Sequence, residues 1–409
     1  MNVLFVHQNY PAQFGTIAAA LMHRYRWKCT FVTKWKGQTK VMPMVKYEPV
    51  GNTSDGVHFL ARNFDNTARS ALGVYEAVKK AGLKEKPDVI VGHSGFGSTL
   101  LLRDLFDCPV VNLFEFYYRI AARTAAYTPK FPIEPRFEQR LRFLNACILL
   151  DLQEAAAGYT PTHFQRNQFP KEYLPKIETI FDGVDTHIFR KQTGLPRVIK
   201  DRTIPDDVKI VTYVSRGFES MRGYDIFIQA AKRIYAEYPK VLFVCVGSDR
   251  VCYGGDNRRI SEGSFRAHIE NREKPDPDKF FYTGVVPAVE LVKILSLSDV
   301  HIYFTVPFVL SWSMINAMSC GCNIVSCRTG PVEEVIDHDQ NGLLADYHDV
   351  EGHAQNALKI LRDEAGYARL GTNARRTVED KYSLNRTLPA LMRLLGRVAG
   401  KQVWPPPNG

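Results

Sequence analysis

Apolar residues along this chain fall into short continuous runs, separated by stretches where they recur every three to four positions. Val3-Leu4-Phe5-Val6, Cys29-Thr30-Phe31-Val32, Val89-Ile90-Val91 and Val110-Val111-Asn112-Leu113 are runs of the kind that fill buried strands. Between them, Phe14 to His23 reads as a helix, and Ala71, Val74, Tyr75 and Val78 share one helical face. The pattern restarts near residue 209. Ile210 to Val214 and Val241 to Val246 are strands, and Phe227, Ala230, Ala231 and Ile234 lie on one face of the helix between them. Pro287 opens a further helix with Leu291, Val292 and Leu295 inward, proline being favourable at a helix start. Ala354, Ala357, Leu358 and Leu361 repeat the helical spacing.

Strands alternating with amphipathic helices predict an α/β protein, with parallel sheets covered by helices. The restart implies two such Rossmann-like domains, 1–190 and 207–384, divided by a polar, Pro- and Gly-containing linker over 191–206. Residues 385–409 read as a helix packing back on the first domain, followed by a Pro-rich tail. The 26 residues from Ile302 to Cys327 carry no formal charge, a length that could span a bilayer. They include Pro307, Ser311, Ser313, Asn316, Gly321 and Asn323, so the expectation is strand, loop, helix and strand in a buried core.

Composition narrows the class without naming it. The 409 residues are 45% hydrophobic and 23% charged, which excludes disordered, collagen-like and coiled-coil chains. The first residues enter an apolar run with no basic region ahead of it, so no secretory leader is expected. Eight scattered cysteines then predict reduced thiols in a cytoplasmic protein. Cys320, Cys322 and Cys327 lack a fourth ligand at zinc spacing, and no metal is expected.

The net charge of +10 points to an anionic partner. Arg119, Arg123, Lys130, Arg136, Arg140 and Arg142, interleaved with aromatics, suit nucleic acid, an anionic membrane face or a merely solvated helix. Nucleic acid is the least expected of these.

Open parallel sheets bind ligands at the carboxyl ends of their strands. The first strand ends in His7-Gln8-Asn9, followed by Gln13-Phe14-Gly15 at a helix start, a candidate ligand loop. Gly92-His93-Ser94-Gly95-Phe96-Gly97 is glycine-rich, letting backbone amides approach a ligand, and His93 is its reactive side chain. Glu115 stands among aromatics, placed either to orient a sugar hydroxyl or to pair with Arg119. In the second half, Ser215-Arg216-Gly217 followed by Arg222-Gly223 puts two guanidinium groups ahead of a helix. That pairing suits a diphosphate, whose oxygens match the guanidinium fork. Phosphate-loop, nucleophile-elbow and zinc-helix motifs are absent.

With these residues in hand, the chain resembles the family 4 retaining glycosyltransferases of the two-Rossmann GT-B fold. The resemblance is carried by Ile180 to Asp185, Val214-Ser215-Arg216 with Arg222-Gly223, and Phe281 to Val286. It continues through Ala317-Met318-Ser319-Cys320-Gly321, Gly330 to Ile336 and Asn341 to Leu344. It implies a cleft between two domains, with a nucleoside-diphosphate sugar as co-substrate and no further cofactor. The acceptor would be a glycan or lipid-linked, in cell-envelope or extracellular polysaccharide synthesis, at the inner face of a membrane. It implies catalytic roles for His93, Arg216 and Arg222, and donor contacts from Gly217, Val285, Val309, Leu310, Ser311 and Asn316. The family's Glu-x7-Glu pair is replaced by Phe308 and Asn316. Asn316 retains a hydrogen-bonding amide for a ribose; Phe308 retains nothing for a sugar hydroxyl, which shifts that role to the backbone of Val309 to Ser311.

Overall fold

The computed structural model describes residues 1–52, 56–119 and 135–403. Backbone contacts divide them into two compact units: unit 1 holds 1–119, 135–182 and 387–403, and unit 2 holds 183–386.

Unit 1 is built on β1 (Asn2–Val6), β2 (Lys28–Thr33), β3 (Met44–Lys46), β4 (Val89–His93), β5 (Val110–Leu113), β6 (Ala157–Thr160) and β7 (Ile177–Thr179). These pair in parallel in the order β3-β2-β1-β4-β5-β6-β7. Its helices include α1 (Phe14–Tyr25), α2 (Arg62–Ala81) and α3 (Pro135–Glu154). The alternation in β1 shows why an uninterrupted apolar run is needed. Phe5 packs against Phe14 of α1 in a tilted pair (5.7 Å) and stacks with Phe31 of β2 (6.4 Å), while Leu4 and Val6 face the opposite way into a core with Val74 and Val78 of α2. Each such side chain, fully buried, contributes on the order of 1.5–3 kcal/mol.

Unit 2 begins with a short antiparallel ribbon, β8 (Val198–Ile199) and β9 (Arg202–Thr203), inside the stretch that reads as a linker. Its sheet comprises β10 (Lys209–Gly217), β11 (Val241–Ser248), β12 (Phe280–Gly284), β13 (Val300–Tyr303), β14 (Ile324–Arg328) and β15 (Leu343–Asp346). The order is β12-β11-β10-β13-β14-β15, again parallel throughout. Helices α4 (Tyr224–Glu237), α5 (Phe265–Glu273), α6 (Ala288–Ser296), α7 (Trp312–Ser319), α8 (Val350–Arg362) and α9 (Glu364–Thr377) accompany it. The uncharged run resolves into β13, α7 and β14, and among the described residues no helix is long and apolar enough to cross a membrane. Ser311 starts α7, its hydroxyl accepting the Ser313 amide at 3.2 Å.

The last helix, α10 (Leu384–Val398), starts in unit 2, and from Thr387 onward its contacts belong to unit 1. Leu388, Leu391, Met392 and Leu395 are buried, and Arg397 pairs with Glu178 at 2.5 Å.

In both sheets the strand order reverses beside the first strand of the sheet, between β1 and β4 and between β10 and β13. Connections leave in opposite directions there, opening a crevice at the carboxyl ends of the strands. His7 and His93 stand at the first reversal, Arg216 and the segment after Tyr303 at the second.

Candidate functional site

In unit 1 the structure gathers His7, Gln13, His93 and Glu115. His93, the last residue of β4, is buried, with its ring 5.2 Å from that of His7. Its Nδ1 lies 2.9 Å from the Ser94 carbonyl oxygen, which can only accept, so Nδ1 carries a proton. Its Nε2 lies 3.3 Å from Glu115 Oε2. With Glu115 ionised and so only accepting, this contact calls for a second ring proton, giving an imidazolium–carboxylate pair. The pKa directions agree. Burial disfavours the His93 cation, but the hydrogen bond and charge of Glu115 outweigh it and raise its pKa. Burial likewise works against the Glu115 anion, and His93 overrides it, holding that carboxyl below its ordinary range. Gln13 donates to Glu115 Oε1 at 3.3 Å, and Gln165 donates to the Glu115 carbonyl at 2.6 Å. Of the two roles open to Glu115 from sequence, the pair with Arg119 is not formed; its partner is His93, which sequence did not suggest. Arg119 instead donates to the carbonyls of Gln168 and Phe169.

The other residues of the first loop divide by burial. Phe14 is fully enclosed, tilted against Phe5 and edge-on to His7, and Gly15 is buried so tightly that a Cβ would lie 2.4 Å from Pro11 Cβ. Gln8 is half-buried, and Asn9 is exposed with its amide on His7 Nδ1 at 2.9 Å.

Beneath the glycine-rich loop lies a residue that the sequence reading did not single out. Asp151 of α3 is buried, and its Oδ2 accepts the Gly95 amide at 2.7 Å and the Ser94 hydroxyl at 3.0 Å. Its Oδ1 has no hydrogen-bond partner, and burial pushes the carboxyl up to about 6 despite the two donors. It thus holds the segment whose Ser94 carbonyl orients His93.

In unit 2 the two arginines separate. Arg216, near the end of β10, is exposed, and its carbonyl accepts the Ser248 hydroxyl at 2.6 Å. Arg222 is buried in a single 3-10 turn (Ser220–Arg222) that leads through Gly223 into α4. Its Nη1 contacts Tyr303 Oη at 3.1 Å, Thr305 Oγ1 at 2.8 Å and the Val309 carbonyl at 3.0 Å. A cation this buried needs such anchoring. The Tyr253 ring lies 5.0 Å from its guanidinium carbon, and Phe308, where the family carries a glutamate, meets Tyr253 edge-on at 5.7 Å. Gly223 adopts φ 61°, and a Cβ there would lie 2.7 Å from Phe304 Cβ, so the turn requires glycine.

Gly217 ends β10 where a Cβ would lie 2.3 Å from the Arg250 carbonyl oxygen. The Ser311 amide donates to Tyr303 Oη at 3.0 Å, and Leu310 is buried. Asn316 is half-buried on α7. Val285, just past β12, is 75% exposed. Arg123 and Lys130 of the basic stretch lie outside the described residues, while Arg140 donates to Asn63 Oδ1 at 2.6 Å. Among the described residues no three His, Cys, Asp or Glu side chains gather as a metal site.

Comparison with known proteins adds the following. Residues 25–189 match the family described as Glycosyl transferase family 4 group, and residues 196–377 match Glycosyl transferases group 1. N-acetyl-alpha-D-glucosaminyl L-malate synthase of Bacillus anthracis is 23% identical over 58% of this chain. Putative glycosyltransferase YtcC of Bacillus subtilis is 22% identical over 59%. In both cases the match spans 59% of the relative's length. Among solved structures, Anabaena Alr3699/HepE in complex with UDP and glucose superposes with a TM-score of 0.71 at 15% identity, covering 97% of this chain and 100% of that one. Sucrose-phosphate synthase from Thermosynechococcus elongatus gives 0.72 at 16%, covering 98% and 99%.

Proposed function

We infer that the chain is a family 4 glycosyltransferase of the GT-B fold, a reading supported by the two family matches over 25–189 and 196–377 and by the fold it shares with HepE. On that basis we propose that it moves a sugar from a nucleoside-diphosphate donor to an acceptor hydroxyl with retention at the anomeric carbon. The observation that carries the reading is Arg222, a buried guanidinium held by three oxygens at the carboxyl end of the unit 2 sheet. Fixed positive charge at that position suits a leaving diphosphate, because it is already oriented when negative charge develops. HepE structures hold UDP and UDP-glucose, which supports a uridine nucleotide as the first donor to try.

In this reading the bond from the anomeric carbon to the diphosphate oxygen breaks as the acceptor oxygen bonds to the same face. The acceptor proton passes to the departing phosphate oxygen. Arg222 and Arg216 stabilise the diphosphate. The His93 imidazolium donates a hydrogen bond to a hydroxyl of the reacting sugars, with Gln13 and Glu115 keeping it oriented. Main-chain groups from Val309 to Ser311, with Asn316 and the exposed Val285, complete the donor contacts. The acceptor is a glycan or a lipid-linked sugar of envelope or extracellular polysaccharide synthesis. The enzyme works in the cytoplasm at the inner membrane face, and no metal is required.

Calorimetry with UDP and a panel of nucleotide sugars tests the foundation. Binding that weakens about tenfold or more in Arg222→Ala is the expected result, in line with losing a charged hydrogen-bond partner. Absence of binding to every nucleotide and nucleotide sugar would refute the reading. Phe308 favours one rival, a catalytically inactive partner of another transferase, since it offers no carboxylate to a sugar. Release of UDP from a donor in the presence of envelope acceptors, unchanged by chelator, would eliminate that rival.

A further inference from the structure

Two carboxylates in unit 2 are exchanged between neighbouring segments. Glu219, fully buried just before the Arg222 turn, accepts three backbone amides on its Oε2: Cys252 at 3.1 Å, Tyr253 at 2.9 Å and Gly254 at 2.9 Å. Asp256, buried at the far end of that loop, accepts the Ser220 amide at 2.8 Å and the Ser220 hydroxyl at 2.6 Å. The loop cannot leave the turn without stranding all of these donors and both carboxylates, each costing on the order of 1–3 kcal/mol if buried unpaired.

A carboxylate is an expensive way to hold a loop. Burial raises the Glu219 pKa even against its three amide donors, and its Oε1 has no hydrogen-bond partner. A glutamine oxygen could accept the same amides without the charge. What the loop gains from its position is the placement of one side chain: the Tyr253 ring rests 5.0 Å from the Arg222 guanidinium carbon and forms an edge-on pair with Phe308. Tyr253 thus lies beside the arginine, with Phe308 backing its ring. The ring face shields the guanidinium on that side while the Tyr253 hydroxyl accepts a hydrogen bond from it, and a lower local dielectric strengthens its attraction for an anion.

We propose that Glu219 is a positioning residue for the Arg222 site, holding the 252–254 backbone so that Tyr253, backed by Phe308, forms an aromatic wall beside the phosphate-binding guanidinium. The phosphate role rests on the functional reading above; the clamp itself does not. The wall makes Tyr253 a determinant of how strongly the site prefers a diphosphate over a monophosphate.

Two measurements on the full-length protein separate these claims. Cys252 lies in the clamped loop and is only partly buried, so its alkylation by iodoacetamide, read by peptide mass spectrometry, reports release of the loop without any nucleotide. Glu219→Ala is expected to raise that rate about tenfold or more, while Glu219→Gln, which keeps an acceptor oxygen, leaves it within about threefold of wild type. UDP and UMP are then titrated calorimetrically. Glu219→Ala and Tyr253→Ala are both expected to reduce the UDP-to-UMP affinity ratio about tenfold, with Cys252 still protected in Tyr253→Ala.

Cys252 labelled at the wild-type rate in Glu219→Ala overturns the clamp, whatever the nucleotide results. A released loop with an unchanged UDP-to-UMP ratio overturns the positioning role. Wild-type protein that binds neither nucleotide overturns the functional reading and the phosphate role with it, and leaves the clamp to be judged by Cys252 alone. Should Glu219→Ala fail to fold, Tyr253→Ala decides the nucleotide arm, an unchanged UDP-to-UMP ratio overturning the wall, and a Glu219→Gln loop labelled about tenfold faster overturns the clamp.

Discussion

Replacing Asp151 by asparagine tests the electrostatics beneath the His93 loop. Asparagine keeps an acceptor for the Gly95 amide and Ser94 hydroxyl, and it removes the charge whose burial pushes the carboxyl up to about 6. Against an ordinary carboxyl near 3.8, the folded state holds this proton more tightly than the unfolded chain does. The stability it contributes is therefore full below that ordinary value and is lost as pH rises through about 6, a total of about 3 kcal/mol at 1.36 kcal/mol per pH unit. Between pH 5 and pH 7.5 the linkage relation assigns about 1.4 kcal/mol of that loss to the wild type and none to Asp151→Asn. Urea unfolding of both proteins at the two pH values measures it, with the emission of Trp27, buried in unit 1, following that unit. The stability of the wild type relative to the variant should fall by about 1.4 kcal/mol from pH 5 to pH 7.5. A difference that stays the same at both values would refute the view that a strained carboxylate underlies the loop.

Two further predictions start from Glu115 and Gly97 of the same unit. Glu115→Gln removes the charge that sustains the His93 imidazolium, so the ring should lose its proton at lower pH than in wild type; an NMR titration of the His93 ring with an unchanged or higher midpoint would contradict the ion-pair assignment. The stability lent by that pair is present between the ordinary Glu115 and His93 pKa values. It is lost in acid as Glu115 protonates and in base as pH rises through the raised His93 pKa, so the variant's deficit should shrink in alkaline buffer. Gly97→Ala places a Cβ 2.2 Å from the Thr67 carbonyl at φ 69°, whereas Gly194→Ala meets similar strain at φ 71° with open space around it. The first should lose clearly more stability in urea than the second, whose cost is the backbone strain alone, on the order of 1–2 kcal/mol.

Strands and helices were legible here because their signals are local. The unbroken run Val3 to Val6 marks a strand covered on both faces, and Phe227, Ala230, Ala231 and Ile234 mark the buried face of α4. Glycines and polar residues after β1, β4 and β10 are also local, so His7, His93, Arg216 and Arg222 could be placed at strand ends from sequence and family resemblance alone. Neither signal determines pairing order. That β1 lies between β2 and β4, with β10 likewise between β11 and β13, follows from which faces can be buried together.

The partners at the site were decided at the same long range. Asp151 belongs to an unremarkable stretch, Leu149-Leu150-Asp151-Leu152, and acquires its role only when α3 packs beneath a loop 56 residues earlier in the chain. Glu219 and Tyr253 meet across 34 residues. Arg222 reads from sequence as one of two equivalent guanidinium groups ahead of a helix; only Tyr303, Thr305 and Val309, enclosing it, set it apart from the exposed Arg216. The sequence by itself determined the class of fold, the two-part chain and the residue types at the strand ends, because short-range periodicity and turn chemistry suffice for those. Which side chains are buried, charged and held in contact was decided only by tertiary structure, because a charge's solvation and its partners depend on segments that sequence spacing does not bring together.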